Sequence, residues 1–326
     1  MKFINIGILG CANIAEKYII PTLLEMSDSF VIGGIASRSK KKAAQFSRKF
    51  NIDVYPSYEA LIEDTSFDAI YIPLPNSLHA EWVEKALNMN LHVLVEKSLA
   101  TSFADVQRLN KIASNNKLVL MENFQFRFHR QLMTIQTLVK TGKIGELRSI
   151  RSSFGFPPFD DINNIRYNHK LGGGALFDAG AYPVKISAMF LGGDIEIKAG
   201  NLFYDQNTRV DIWGGAYLAE GNGPLFAEIA FGFDNHYQCN VELWGSEGKI
   251  LANRIFTSPP GKEAIVVLET NSGEQLIRVN PDNHFKNLLH HFYKLSKSSI
   301  GVDAEYEQNI IQSRLLHQIR EKSNEG

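Results

Sequence analysis

The chain has 326 residues, enough for two domains with substantial cores, and its 34 Lys+Arg nearly balance 35 Asp+Glu. That balance gives no electrostatic case for nucleic acid or an anionic membrane, and no apolar run approaches membrane-spanning length. Two cysteines, Cys11 and Cys239, are too few for a disulfide framework and suit a reducing cytoplasm.

The first strand is Phe3–Leu9, a β-branched run that ends in a glycine turn and opens a helix running towards Leu24. This is the entry of a dinucleotide-binding βαβ unit, in which a helix N-terminus offers unpaired N–H groups to a pyrophosphate. The spacing reads Gly10-x-Ala12-x-x-Ala15, with only the first of the three usual glycines present. Gly10, Cys11, Ala12, Asn13 and Ile14 are therefore the candidate phosphate loop. An ordinary βα turn without a nucleotide is equally compatible with the motif alone.

Apolar strands then alternate with amphipathic helices to about residue 122, as a parallel sheet covered on both faces requires. Phe30–Ala36, Ala69–Ile72, Leu91–Val95 and Leu118–Met121 read as strands. A helix opens at Ser102, with Asp105 three residues on as in a capping box. The end of the second strand indicates the cofactor. NAD recognition uses an acidic residue there, whereas this chain runs into Ser37-Arg38-Ser39-Lys40-Lys41-Lys42. A hydroxyl, a guanidinium and nearby ammonium groups suit a 2′-phosphate, so NADP (NADPH) is expected in preference to NAD.

Beyond about residue 125 the period changes. Tyr237, Cys239, Val241 and Leu243 alternate with polar residues, marking a half-buried antiparallel strand. Similar strands are expected near 147–154, 195–205, 208–219, 225–233 and 263–279, and helices at His284–Ser298 and Glu305–Lys322. The fold class expected is α/β: an N-terminal Rossmann doubly wound parallel sheet (1–122), then a C-terminal α+β domain on an open, mostly antiparallel sheet (123–326). The last helix is free to pack on either domain.

Three stretches carry candidate chemistry. Pro73-Leu74-Pro75-Asn76-Ser77-Leu78-His79 follows a strand, where loops of such sheets line the ligand crevice. Leu74, Asn76 and His79 are candidates to face the cofactor, although a histidine satisfied within the first helical turn is as common. Glu96-Lys97-Ser98 ends another strand, and a lysine there can donate to a reacting oxygen. Leu171–Pro183 contains Gly172-Gly173-Gly174, which would let backbone approach a ligand closely. Asp178 and Tyr182 follow four residues apart on one helix face. A tyrosine beside a cation can act as general acid or base on an alcohol–carbonyl pair. No metal site is expected, because His290 and His291 are adjacent and no paired His or Cys spacing occurs.

In this order, Gly10–Ala15, Pro75-Asn76-x-x-His79, Glu96-Lys97, Glu122-Asn123, Arg166 and Gly172–Tyr182 resemble the Gfo/Idh/MocA family of NAD(P)-dependent oxidoreductases over essentially the whole chain. The resemblance implies a catalytic lysine at Lys97 and places the family's aspartate and its histidine or tyrosine at Asp178 and Tyr182. It also implies cofactor contacts from Glu96 and Asn123, and a homodimer or homotetramer; Arg166 is a candidate for the cofactor or substrate side of the cleft, with a surface salt bridge equally compatible. Ser98 departs from the family's proline, and Ala12 from its second glycine. Ser153–Pro158 with the glycine-rich run is most similar to sugar-nucleotide 3-ketoreductases. These imply NADPH reduction of a 3-keto deoxysugar, with Tyr182 protonating the alkoxide, Lys97 polarising the carbonyl and holding the tyrosine pKa down, and Asp178 orienting the sugar or the lysine. Dehydrogenases of free sugars, polyols or dihydrodiols, a glycoside hydrolase recycling bound NAD, and a non-catalytic dinucleotide sensor are the alternatives.

Overall fold

The computed structural model describes residues 3–324; the outermost ends of both expected domains, residues 1, 2, 325 and 326, lie outside the described residues. The chain divides into two compact units, 3–123 with Phe285–Ile310, and Phe124–His284 with 311–324.

In the first unit, β1 (Ile4–Leu9), β2 (Phe30–Ala36), β3 (Val54–Tyr55), β4 (Ala69–Ile72), β5 (His92–Glu96) and β6 (Leu120–Asn123) form one sheet of order β3-β2-β1-β4-β5-β6. Every pairing is parallel. All four residues of β4 are buried, which is why its sequence is apolar without alternation. Strand order reverses between β1 and β4, so the loops leaving their carboxyl ends, from Gly10 and from Pro73, flank the switch point where such sheets take ligands.

The helices of this unit begin where local chemistry allows. A π-helical turn at Ala15–Ile19 leads into α1 (Ile20–Glu25). Helix α2 (Lys40–Phe50) is capped by Ser39, whose hydroxyl accepts from Lys42 N at 3.3 Å. Then come α3 (Tyr58–Ile62), α4 (Asn76–Asn88) and α5 (Phe103–Asn115), the last capped by Ser102 as its sequence indicates. Strands β5 and β6 begin one and two residues later than the apolar runs suggest.

The second unit holds α6 (Arg130–Lys140), β7 (Leu147–Gly155), a π-helical segment Leu176–Gly180 continuing into α7 (Ala181–Leu191), and β8 (Ile195–Tyr204). There follow β9 (Asp211–Glu220), β10 (Phe226–Gly232), β11 (Gln238–Gly245), β12 (Gly248–Asn253), β13 (Ala264–Thr270) and β14 (Gly273–Val279). The sheet order is β14-β13-β12-β11-β7-β10-β9-β8, antiparallel except where β10 meets β7. Cys239, Val241 and Leu243 of β11 are buried while Gln238 and Trp244 are exposed, matching the alternation in the sequence. Strand β12 is not apparent from the sequence, and the apolar run 263–279 is two strands folded at the Asn271–Gly273 turn.

Helices α8 (His284–Ser298) and α9 (Val302–Asn324) end the chain. Residues of both serve the first unit. Phe285 stacks on Tyr18, Tyr293 meets Phe30 edge-on, and Asn309 Nδ2 donates to Leu120 O at 3.1 Å. The expected second domain, 123–326, thus contributes Phe285–Ile310 to the first unit. Among the described residues no helix is long and apolar enough to cross a membrane.

Candidate active site

The first unit carries the phosphate loop. Gly10 sits at φ 122° and donates from its N–H to Ala36 O at 2.8 Å. A Cβ there would lie 3.0 Å from Leu74 Cδ2 and 3.4 Å from Pro73 O, so both the backbone and the neighbouring loop require glycine. Cys11, Ala12 and Ile14 are half-buried and Asn13 is exposed, while Ala15 is fully buried at the third glycine position.

At the end of β2, the Ser37 hydroxyl meets the Cys11 thiol, whose pKa is pushed up mainly by burial. The same hydroxyl accepts from Ser39 N at 3.2 Å. Arg38 is exposed, and its guanidinium and backbone hydrogen-bond the Tyr58 hydroxyl, whose pKa burial raises. Ser37 and Arg38 therefore stand immediately before the N-terminus of α2, where the dipole and three lysines add positive potential.

His79 differs from its expected place. The ring is fully buried, with Nδ1 2.7 Å from Ser98 O and Nε2 2.7 Å from Leu74 O. Burial lowers its pKa to about 4. Both nitrogens face the protein's own carbonyls, and the neutral ring donates to one of them, so His79 packs the Pro73–Pro75 loop against the segment after Lys97 and presents no nitrogen to a cofactor. This also answers the loss of proline at Ser98. That residue is 2% exposed and held through its carbonyl, and Leu99 N donates to the buried Glu122 Oε1 at 2.8 Å.

Glu96 Oε1 accepts from Tyr71 Oη and from Asn123 Nδ2, each at 2.6 Å. Burial raises the Glu96 pKa, against these hydrogen bonds and the Lys97 charge. Glu96 and Asn123 thus form one buried network beside Lys97, which is half-buried, as is Asn76 at the start of α4.

The second unit carries Arg166, Asp178 and Tyr182. Arg166, on a 3₁₀ turn at Ile165–Tyr167, donates from Nε to Asp178 Oδ2 at 2.5 Å and lies 4.7 Å over the Phe159 ring. Asp178, by its charge, raises the Arg166 pKa further. Tyr182, half-buried on α7, has its ring centroid 5.2 Å from Phe154, 5.4 Å from Phe256, 5.6 Å from Phe124 and 5.9 Å from Phe126. Four aromatic neighbours hold the phenol ring in one orientation.

The glycine-rich run serves a different purpose from the one expected. A Cβ on Gly173 would fall 2.3 Å from Arg166 O, and one on Gly174, at φ 120°, would fall 2.2 Å from Asp211 Oδ1. These glycines admit neighbouring protein groups rather than a ligand. Asp211 has no motif around it; the sequence signal was only a carboxylate opening an apolar strand.

A parallel sheet with this strand order, a glycine turn after β1 and a glutamate–lysine pair where β5 ends is the architecture of dinucleotide-binding proteins. Residues 4–124 match the model of an oxidoreductase family with an NAD-binding Rossmann fold, and 132–251 match the GFO/IDH/MocA C-terminal domain. The chain belongs to the Gfo/Idh/MocA family of oxidoreductases.

A dTDP-3,4-didehydro-2,6-dideoxy-alpha-D-glucose 3-reductase of Saccharopolyspora spinosa is 35% identical over 302 residues, 93% of this chain and 90% of that protein. The crystal structure of a 3-ketoreductase from Actinomadura kijaniata, in complex with NADP and TDP-benzene, superposes with a TM-score of 0.94 at 34% identity, covering 98% of both chains. A D-xylose 1-dehydrogenase (NADP(+)) of Haloferax volcanii is 29% identical, covering 98% of this chain and 97% of that protein.

Proposed function

We propose that the protein uses NADPH to reduce a keto group, at C3, of a nucleotide-linked deoxysugar. The observation that carries this reading is the likeness to the A. kijaniata 3-ketoreductase over 98% of both chains. The residues of the first unit fit the cofactor: the Gly10 turn leads from β1 into a helix whose first N–H groups suit a pyrophosphate, and Ser37 and Arg38 suit a 2′-phosphate. Cys11, Ala12, Asn13 and Ile14 would hold the pyrophosphate, and Leu74, Asn76, Glu96 and Asn123 would also contact the cofactor. The bound cofactor supplies the hydride.

The chain's own residues supply the rest. Tyr182 would give its phenolic proton to the alkoxide as it forms, and Lys97 the positive charge that polarises the carbonyl and stabilises the phenolate. Asp178, paired with Arg166, would orient sugar hydroxyls. The same A. kijaniata enzyme has been solved with a tyrosine changed to phenylalanine and with a lysine changed to glutamate or alanine, which supports looking for function in these two residue types. The likeness to the D-xylose dehydrogenase favours a second reading, oxidation of a free sugar with NADP⁺.

NADP⁺ reduction, followed by absorbance across nucleotide-linked sugars, free sugars, inositols and aromatic diols, tests both. Turnover confined to nucleotide-linked sugars supports the first. Turnover on free sugars alone replaces it with the second.

We further propose a homo-oligomer formed through the outer face of the β8–β14 sheet. Trp244 and Leu276 are 54% and 58% exposed there, and Phe203 stacks on Trp213 at 3.9 Å. Arg151 lies between Glu228 and Glu242 near the middle of that face, giving both signs of charge for an isologous contact. Sedimentation of Trp244→Glu against the native protein checks this; an unchanged mass overturns it. Both cysteines are outside disulfides, in keeping with the cytoplasm.

A further inference from the structure

We propose that Asp211 is a positioning residue: its carboxylate sets the first turn of the helical segment that carries Asp178 and Tyr182. The inference rests on the reading of Tyr182 as proton donor.

That segment begins at Leu176 with a π-helical turn, and its N-cap, Ala175, has no side-chain oxygen to satisfy the first N–H groups. The acceptor comes instead from the first residue of β9. Asp211 Oδ2 accepts from Leu176 N at 2.5 Å, and the Ala175 backbone N–H also hydrogen-bonds this carboxylate. Asp211 is 7% exposed. Burial raises its pKa, while these N–H groups and the charge of Arg320 oppose the rise.

Gly174 makes the contact possible. Any Cβ there would meet Asp211 Oδ1 at 2.2 Å, and its φ of 120° is one that L residues rarely adopt. The same glycine donates from its N–H to Arg166 O at 3.0 Å. One joint therefore sets two things: where the helix begins, through Asp211, and where Arg166 sits, through Gly174. Asp178 lies two residues after Leu176 and receives Arg166; Tyr182 follows one turn later. A carboxylate at a helix N-terminus is also favoured by the dipole. None of these roles involves touching substrate, so Asp211 acts through the segment it caps.

The test uses the full chain carrying Asp211→Ala or Asp211→Asn. Two N–H groups lose their acceptor in the alanine variant, whereas asparagine keeps one oxygen. Amide hydrogen exchange over 175–182 is expected to quicken at least tenfold in Asp211→Ala and less in Asp211→Asn; unchanged exchange overturns the proposal. With a substrate in hand, kcat should fall about tenfold in Asp211→Ala while the KM for NADPH stays level. In a Tyr182→Phe background the same change should cost less than twofold, because its effect passes through the phenol. A full tenfold loss in that background, or a lower Tm with unchanged kcat, overturns it. Failure of the native protein to turn over any sugar nucleotide would remove the ketoreductase reading and leave the exchange measurement to decide Asp211's role.

Discussion

Arg166 Nε donates to Asp178 Oδ2 over 2.5 Å, so the two residues that stood apart in the sequence as a cofactor candidate and a catalytic candidate are one ion pair. Their side chains are 35% and 16% exposed, shielded enough to be worth more than a solvated surface pair. A double-mutant cycle with Arg166→Met and Asp178→Asn, read by urea unfolding, should give a coupling of about 1 kcal/mol or more. Coupling near zero would mean that the pair forms no stable unit.

Tyr182→Phe should leave the fold intact, because the four surrounding phenylalanines contact the ring rather than the hydroxyl. Loss of a general acid costs roughly 10²–10⁴ in rate. The expected result is a kcat lowered by that range with NADPH affinity unchanged, measured by steady-state kinetics and fluorescence titration. Equal losses in both would make the tyrosine structural.

Arg38→Ala should discriminate between the two nicotinamide cofactors. A charge-assisted hydrogen bond contributes about 1.5–3 kcal/mol, so NADPH affinity should fall about 10- to 100-fold while NADH affinity hardly moves. A parallel fall for both would place Arg38 elsewhere than at the 2′-phosphate.

The second unit should weaken in mild acid. His284 and His129 are buried with ring centroids 5.4 Å apart, near Asp282 and Arg130. Burial first, and then the His129 charge against Asp282, lowers the His284 pKa to about 4; burial also lowers that of His129. Folded values lie below the unfolded value near 6.5, so the unfolded chain binds more protons throughout that window. Stability is therefore full above about pH 6.5 and falls as pH drops towards 4, by about 3 kcal/mol from His284 alone. Urea midpoints between pH 7 and 5 should fall, and His284→Gln should flatten the decline. An unaltered decline in that variant would assign the acid sensitivity to other groups.

Fold class and much of the candidate chemistry were legible in the sequence because they depend on neighbours a few residues away. The uniformly apolar Ala69–Ile72 marks a strand buried on both faces, and Ser102 with Asp105 marks a helix start. Gly10, Ser37 and Arg38 could be singled out for the same reason: a turn and the end of a strand are short-range features. Strands β13 and β14 are harder: 263–279 reads as one stretch, although Asn271-Ser272-Gly273 within it carries the turn signal at which the two strands fold.

The order of residues thus carries the alternation of elements and the residue types at their ends. Tertiary structure alone decided which groups those residues meet. His79 was legible as a candidate, yet its partners are Leu74 O and Ser98 O, the second 19 residues away. Gly173 and Gly174 were legible as unusual backbone, yet what they admit is the Arg166 carbonyl and the Asp211 carboxylate. His284–Ser298 and Glu305–Lys322 read as helices, but only packing on Tyr18, Phe30 and Leu120 joins Phe285–Ile310 to the parallel-sheet unit. Periodicity and caps are written within one or two turns of chain; a buried hydrogen-bond partner tens of residues distant is selected only when the layers close and every polar group must find an acceptor or donor.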